Sequence, residues 1–227
     1  MSRIITNYLL TLFLMSTIIC GVLTGHADFL ENLPPEIQPL YNSDLDTWKP
    51  PEHLKRNYPY YLSGFDEEDR PVWVLEFGKW NLRDIVEQGK DAVIEFDKYV
   101  NQVILNVYNS TITKHEIVPA IIILDLDEYE LSQLTSPATV AYYVEKLRLI
   151  VIAMKNLHAA YCINTNFVAQ RFLNLIKPLL GKEFEKFEIY GNNPAKWKSR
   201  ILKTIPSDQL PSWYGGSSNF KPVMIYG

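Results

Sequence analysis

Two aspartates close the most apolar short segment of the chain. The string IIILDLDEY sets Asp125 and Asp127 two residues apart at the end of an unbroken hydrophobic run that starts at Ile117. If that run is a strand, a spacing of two lets both carboxylates leave the same face. In an open α/β sheet, the carboxyl ends of strands are where ligands bind. A pair so placed could hold Mg²⁺ for phosphoryl transfer or for a nucleotide sugar. The competing reading is that a strand emerging into water simply ends in polar residues.

The surroundings favour the second reading. A haloacid-dehalogenase-type phosphatase would carry Thr or Val two positions after the second aspartate, where this chain has Tyr129, and no later paired-aspartate segment completes a metal site. There is no G-x-S-x-G elbow, Walker loop or G-x-G-x-x-G. His53, His115 and His158 are scattered, with no two at zinc-ligand spacing. His158 and Cys162 stand four apart across an expected helix end and strand start, which is no nucleophile pair. Neither an enzyme nor a metal or cofactor site is expected.

The elements that would position these residues alternate in type. RPVWVLEFG (70–78) reads as a strand closed by glycine, with SGFDEEDR a turn ahead of it. Val93, Phe96, Val100, Val103 and Val107 recur at spacings of three and four, so one amphipathic helix is expected over 81–108. The run ending at Asp125 reads as a strand buried on both faces. A second long helix follows Pro137, then the short strand YCIN, a helix over FVAQRFLNLIKPLL, the strand FEIY, and a helix opened by Pro194. The pattern predicts an α/β domain with a mostly parallel sheet flanked by helices.

One helix is unusually apolar. Val168, Phe172, Leu175, Ile176 and Leu179 form a broad stripe that Phe167, Leu173 and Leu180 widen. It is either core or a lid whose apolar face lines a lipid cavity and can meet a membrane. Pro178 should end or bend its last turn at Lys177. On the last helix Lys196, Arg200 and Lys203 share one side near Trp197. That is either a solvated face or a membrane-contact patch resting on anionic headgroups.

Bulk properties narrow the partners. The chain has 227 residues, 47% hydrophobic and 21% charged, with a net charge of −4, so nothing suggests nucleic-acid binding. Residues 1–27 have the layout of a secretory signal peptide: Arg3, an apolar run from Tyr8 to Leu23, then Gly25 and Ala27 before a cleavage point. An uncleaved anchor through residues 8–23 is the alternative to secretion. Cys20 would leave with the leader, so Cys162 would stand alone as a buried inert thiol with no disulfide partner. Asn109-Ser110-Thr111 is a glycosylation sequon for an exported chain.

Several strings, in order, resemble the CRAL-TRIO lipid-binding family. That family includes the α-tocopherol transfer protein and the yeast-type phosphatidylinositol transfer proteins. YYLSGFDEEDRPVWVLEFGKW is similar to its entry segment, IIILDLD to its central strand, and INTNFVAQRFLNLIKPLL to the stretch that makes its gate helix. FEIYGNN and DQLPSWYGG resemble the family's next strand and its closing loop. The likeness runs from about Trp48 to Gly216, giving a leader at 1–27, a reduced amino-terminal arm at 28–47, a lipid-binding domain at 48–216 and a tail at 217–227.

The resemblance implies a cavity between the sheet and the gate helix that holds a hydrophobic small molecule or lipid without catalysis. By position, Phe167, Val168, Phe172, Ile176 and Leu180 would wall the gate and Ile163 would lie in the floor, with Tyr142 and Val151 contributing from the preceding helix. Lys186 matches a basic headgroup position. The closing loop would fold back on the domain, burying Leu210, Trp213 and Tyr214. Departures are visible: Ala153-Met154-Lys155 stand where the family has YPE, and INTN lacks the INxP proline. These point away from inositol-lipid specificity and leave apolar-ligand binding. The expectation is a secreted monomeric carrier that touches membranes transiently. The alternative is a ligand-less scaffold on the same fold.

Overall fold

The computed structural model describes residues 33–113 and 117–227. The expected leader at 1–27, Cys20 within it, and His115 lie outside those residues. Among the described residues six strands form one sheet: β1 (Tyr60–Phe65), β2 (Pro71–Leu75), β3 (Ala120–Asp125), β4 (Leu157–Ile163), β5 (Phe187–Ile189) and β6 (Met224–Ile225), in the order β5-β4-β3-β2-β1-β6. Strands β2 to β5 run parallel, while β1 is antiparallel to both β2 and β6. The α/β reading holds.

The unbroken apolar run of β3 results from burial on both faces. Side chains alternate along a strand, so Ile121 and Ile123 join Val72, Val74 and Tyr161 in a core on one face. Ala120, Ile122 and Leu124 look the other way, with Trp73, Ala160 and Cys162, into the larger core under the main helices. Those helices are α1 (Gln38–Tyr41), α2 (Glu52–Asn57), α3 (Leu82–Gln88), α4 (Lys90–Ser110), α5 (Ser132–Thr135), α6 (Pro137–Ala153) and α7 (Phe167–Leu180). The last helix, α8 (Pro194–Ile201), covers the opposite face through Trp197 and Ile201.

Four local expectations need correcting. Ser63, Gly64 and Phe65 complete β1, so the turn begins only at Asp66. There Asp66 Oδ1 accepts from the backbone N–H of Glu68 at 3.0 Å and of Arg70 at 2.8 Å. The single helix over 81–108 is two, parted at Gly89, whose φ of 102° suits glycine. Strand β4 starts at Leu157, so His158 is an exposed strand residue, roughly 13 Å along the strand from buried Cys162 at about 3.3 Å per residue. Burial pushes that thiol up to about 12, which leaves it inert. Helix α7 continues through Pro178 to Leu180, since the proline removes a single backbone bond on an exposed flank.

Both ends of the described chain pack. Leu33, Ile37, Leu40 and Leu45 of the amino-terminal arm enter the larger core, and Gln102 of α4 donates to the Leu45 carbonyl at 2.6 Å. In the tail Tyr226 stacks on Tyr60 at 5.2 Å between ring centroids, and Tyr60 stacks in turn on Trp73.

Tyrosines supply much of this packing, with a consequence for pH. Burial pushes the Tyr58 hydroxyl up to about 12 and raises those of Tyr60, Tyr99, Tyr129 and Tyr143 as well. In the unfolded chain a tyrosine ionises near pH 10. Above that pH the unfolded state binds fewer protons than the folded one, so stability falls as pH rises. Each such tyrosine contributes a loss of about 1.4 kcal/mol per pH unit until its folded-state hydroxyl ionises. Denaturant midpoints should drop steeply above about pH 10; a flat midpoint beyond that would contradict the buried hydroxyls.

Candidate functional site

An apolar cavity of about 190 Å³ lies between the larger-core face of the sheet and helices α4, α6 and α7. Leu75, Ile122, Leu124 and Ala160 give the sheet side, Phe96, Val100 and Val103 the α4 side, and Tyr143, Leu147 and Ile150 the α6 side. Hardly any polar atom faces it. Helix α7 is set over the cavity by its cap: Asn166 Oδ1 accepts from the Ala169 N–H at 2.9 Å, and Asn166 Nδ2 donates to the Tyr129 carbonyl at 3.0 Å. Asn164, at φ 53°, turns the chain out of β4 and donates to Asp125 at 2.9 Å.

Four of the eight residues expected at a lipid site line this cavity: Tyr142, Phe172, Ile176 and Leu180. Phe172 sits among Phe77, Tyr129 and Tyr143, with ring centroids 5.6, 5.2 and 5.0 Å away. The other four do not line it. Ile163 belongs to the opposite core, because strand alternation turns it away when Cys162 and Ala160 face the helices. Val151 and Val168 are half-buried on the flanks of their helices. Phe167 is 73% exposed, its ring covered by the Arg171 guanidinium at 4.8 Å.

The polar candidates are engaged elsewhere. Lys186 pairs with Glu183 at 2.7 Å and donates to the Met154 carbonyl at 2.8 Å, which closes the helical turn after α6. Trp197, expected at a membrane interface, is buried under the sheet. Arg200 makes a two-pronged pair with Glu188, at 2.8 and 2.6 Å, while Lys196 and Lys203 remain exposed. The patch is therefore a pair of free lysines, not a coherent face. Asn109 is exposed in the last turn of α4, where its Oδ1 accepts from the Tyr41 hydroxyl.

Asp125 and Asp127 also part company. Asp125 accepts from the Tyr214 hydroxyl at 2.7 Å, from Asn164 and from the Asp127 N–H at 3.1 Å, whereas the Asp127 side chain is exposed. Among the described residues no group of three His, Cys, Asp or Glu could hold a metal ion. The closing loop is anchored instead. Leu210 and Tyr214 are buried as expected, but Trp213 is 58% exposed. At Gly216 a β-carbon would stand 1.9 Å from the Leu210 carbonyl oxygen, so the loop crosses itself too closely for any side chain.

Two residues escaped the sequence reading. Lys146 of α6 lines the cavity and pairs with Asp97 of α4 at 2.9 Å. Tyr142 donates to the other Asp97 oxygen at 2.7 Å. The available signal was a lysine interrupting the apolar stripe of α6 at position 146, four after Tyr142.

An open, mostly parallel sheet flanked by helices, with an apolar pocket between one face and its helices, defines an α/β protein. Residues 55–216 match the family model described as the CRAL/TRIO domain, and the chain belongs to the CRAL-TRIO lipid-binding family. It is 26% identical over 193 residues to a SEC14 cytosolic factor of Yarrowia lipolytica, covering 78% of this chain and 36% of that protein. It is 28% identical over 174 residues to the SEC14 cytosolic factor of Candida glabrata, covering 73% and 55%. To the phosphatidylinositol/phosphatidylcholine transfer protein SFH4 of Arabidopsis thaliana it is 25% identical over 186 residues, covering 73% and 28%. The chain thus spans roughly a quarter to just over half the length of these relatives. The solved structure of Sfh5 shares the fold, with a TM-score of 0.55 at 14% identity, over 74% of this chain and 57% of that one.

Proposed function

We propose that this protein binds a hydrophobic lipid in the cavity between the sheet and α7 and carries it between surfaces, without catalysis. The observation that carries this reading is the hollow itself, walled by aromatic and aliphatic side chains where a packed core would leave none. Each methylene moved from water into it stabilises the complex by about 0.8 kcal/mol. The relative named as a phosphatidylinositol/phosphatidylcholine transfer protein supports the same reading.

At about 190 Å³ the cavity is smaller than the roughly 300–1,000 Å³ of ordinary ligand pockets. Loading therefore requires α7 to give way, swinging Phe172, Ile176 and Leu180 outward. The same helix offers the surface that would meet a membrane: Phe167, Leu175 and Leu179 are exposed along its outer side beside Arg171. That line replaces the Lys196–Lys203 patch as the docking face. Among the described residues no helix is long and apolar enough to cross a membrane.

The full chain, isolated without detergent, should release a stoichiometric apolar lipid on extraction and show it in native mass spectra. Phe167→Asp together with Leu175→Asp should slow transfer between vesicles while leaving binding intact. A chain that carries no lipid and takes up neither fluorescent fatty acid nor tocopherol would remove the carrier reading. The small volume favours, in that case, a monomeric scaffold that has kept the fold. We infer export from the composition of residues 1–27. Amino-terminal sequencing of secreted protein beginning at Asp28 is the expected result, and retention of residues 8–23 would mark the anchored form. Asn109 would then carry a glycan on Nδ2, since only its Oδ1 is engaged.

A further inference from the structure

We propose that Lys146 selects the ligand by its polar end, so that the cavity takes single-chain amphiphiles ending in a carboxylate. The inference rests on the carrier reading above and names its substrate class. Hardly any polar atom faces the hollow, so a ligand head must find its hydrogen bonds at the edge. Lys146 is the one charged residue on the wall among the described residues. Its side chain is 14% exposed and that of its partner Asp97 30%, so the ion pair sits at the margin of the hollow and within reach of water.

The ammonium is placed but not saturated. Asp97 Oδ2 stands 2.9 Å away and the face of the Tyr142 ring 5.6 Å from its centroid. Tyr142 fixes the Asp97 carboxylate by donating to Oδ1. An ammonium has three N–H donors, so two remain for ligand oxygens. A carboxylate arriving at the seam between α4 and α6 would share the lysine with Asp97, while its hydrocarbon runs inward past Leu147 and Val103. At about 190 Å³ with α7 closed, the hollow favours one hydrocarbon chain over two, the ligand that asks least movement of α7.

The test is a displacement titration of the full chain with lauric acid and lauryl alcohol, which differ only at the head. Lys146→Met should weaken the acid by about tenfold or more, the value of one charge-assisted hydrogen bond, and leave the alcohol unchanged. Lys146→Arg should restore the acid. Asp97→Asn keeps an acceptor for Tyr142 and removes the competing charge, so it should tighten acid binding; it also carries the test if Lys146→Met fails to fold. Equal effects on acid and alcohol, or none on either, overturn the assignment while sparing the carrier reading. A wild-type chain that binds neither ligand also overturns the assignment, and the carrier reading falls with it only if the extraction and tocopherol-uptake experiments fail too.

Discussion

Phe172→Ala is expected to lower the free energy of unfolding by about 3–5 kcal/mol, the usual cost of truncating a buried aromatic. Phe172 is 4% exposed and closes a ring cluster with Phe77, Tyr129 and Tyr143. Its removal deprives three neighbours of their contacts and enlarges a cavity that is already present, so collapse cannot refill the space. The same enlargement supplies a positive control. A lipid that binds the folded state raises stability by RT ln(1 + [L]/Kd), and the variant has more room for it. Denaturant midpoints with and without lauric acid should therefore differ more in Phe172→Ala than in the wild type. An unchanged midpoint without ligand would show that the ring cluster is not packed. Alanine is the informative replacement, because aspartate would bury a charge among three rings and unfold the domain whatever its function.

How much of the fold and the site is legible in the sequence depends on the kind of signal. Strand β3 declares itself because burial on two faces leaves no polar position, and α7 does so through its broad apolar stripe. The start of α7 is readable, since Asn166 can cap, but its end is not: Pro178 points to a stop at Lys177, whereas the helix runs to Leu180 and Gly181 turns the chain at positive φ. Other features depend on parity or on distant partners. Ile163 reads as cavity floor, yet one step along a strand reverses the face, and no local residue states which parity applies. Trp197 reads as an interfacial aromatic because its neighbours are basic; that it sinks beneath the sheet is decided by Tyr161 and Tyr214, remote in sequence. Lys146 and Asp97 meet across two helices, and a lysine in a greasy stretch does not name its partner.

The closing loop shows the same division, and it carries the second large expectation. Its apolar residues are explicable from sequence only by supposing that it folds back, and the structure supplies the latch. Asp125, at the end of β3, accepts from Tyr214 at 2.7 Å, and burial, then the Asp125 charge, raises the Tyr214 pKa so that its hydroxyl stays the donor at neutral pH. Asp125→Ala should cost about 3 kcal/mol, because it removes a charged acceptor and leaves the buried hydroxyl unpaired. Asp127→Ala should change stability by no more than about 0.5 kcal/mol, as expected for an exposed side chain away from such features. Tyr214→Phe measured alone and with Asp125→Ala isolates the coupling between loop and strand, since in the double variant no hydroxyl remains to be stranded. The asymmetry is what discriminates. A metal held by the pair would make the two alanine variants alike in Mg²⁺ or Mn²⁺ affinity, whereas a latch makes them unlike in stability and indifferent to either ion. Equal losses at both positions, appearing only with the ion present, would restore the paired-carboxylate reading of the IIILDLD string.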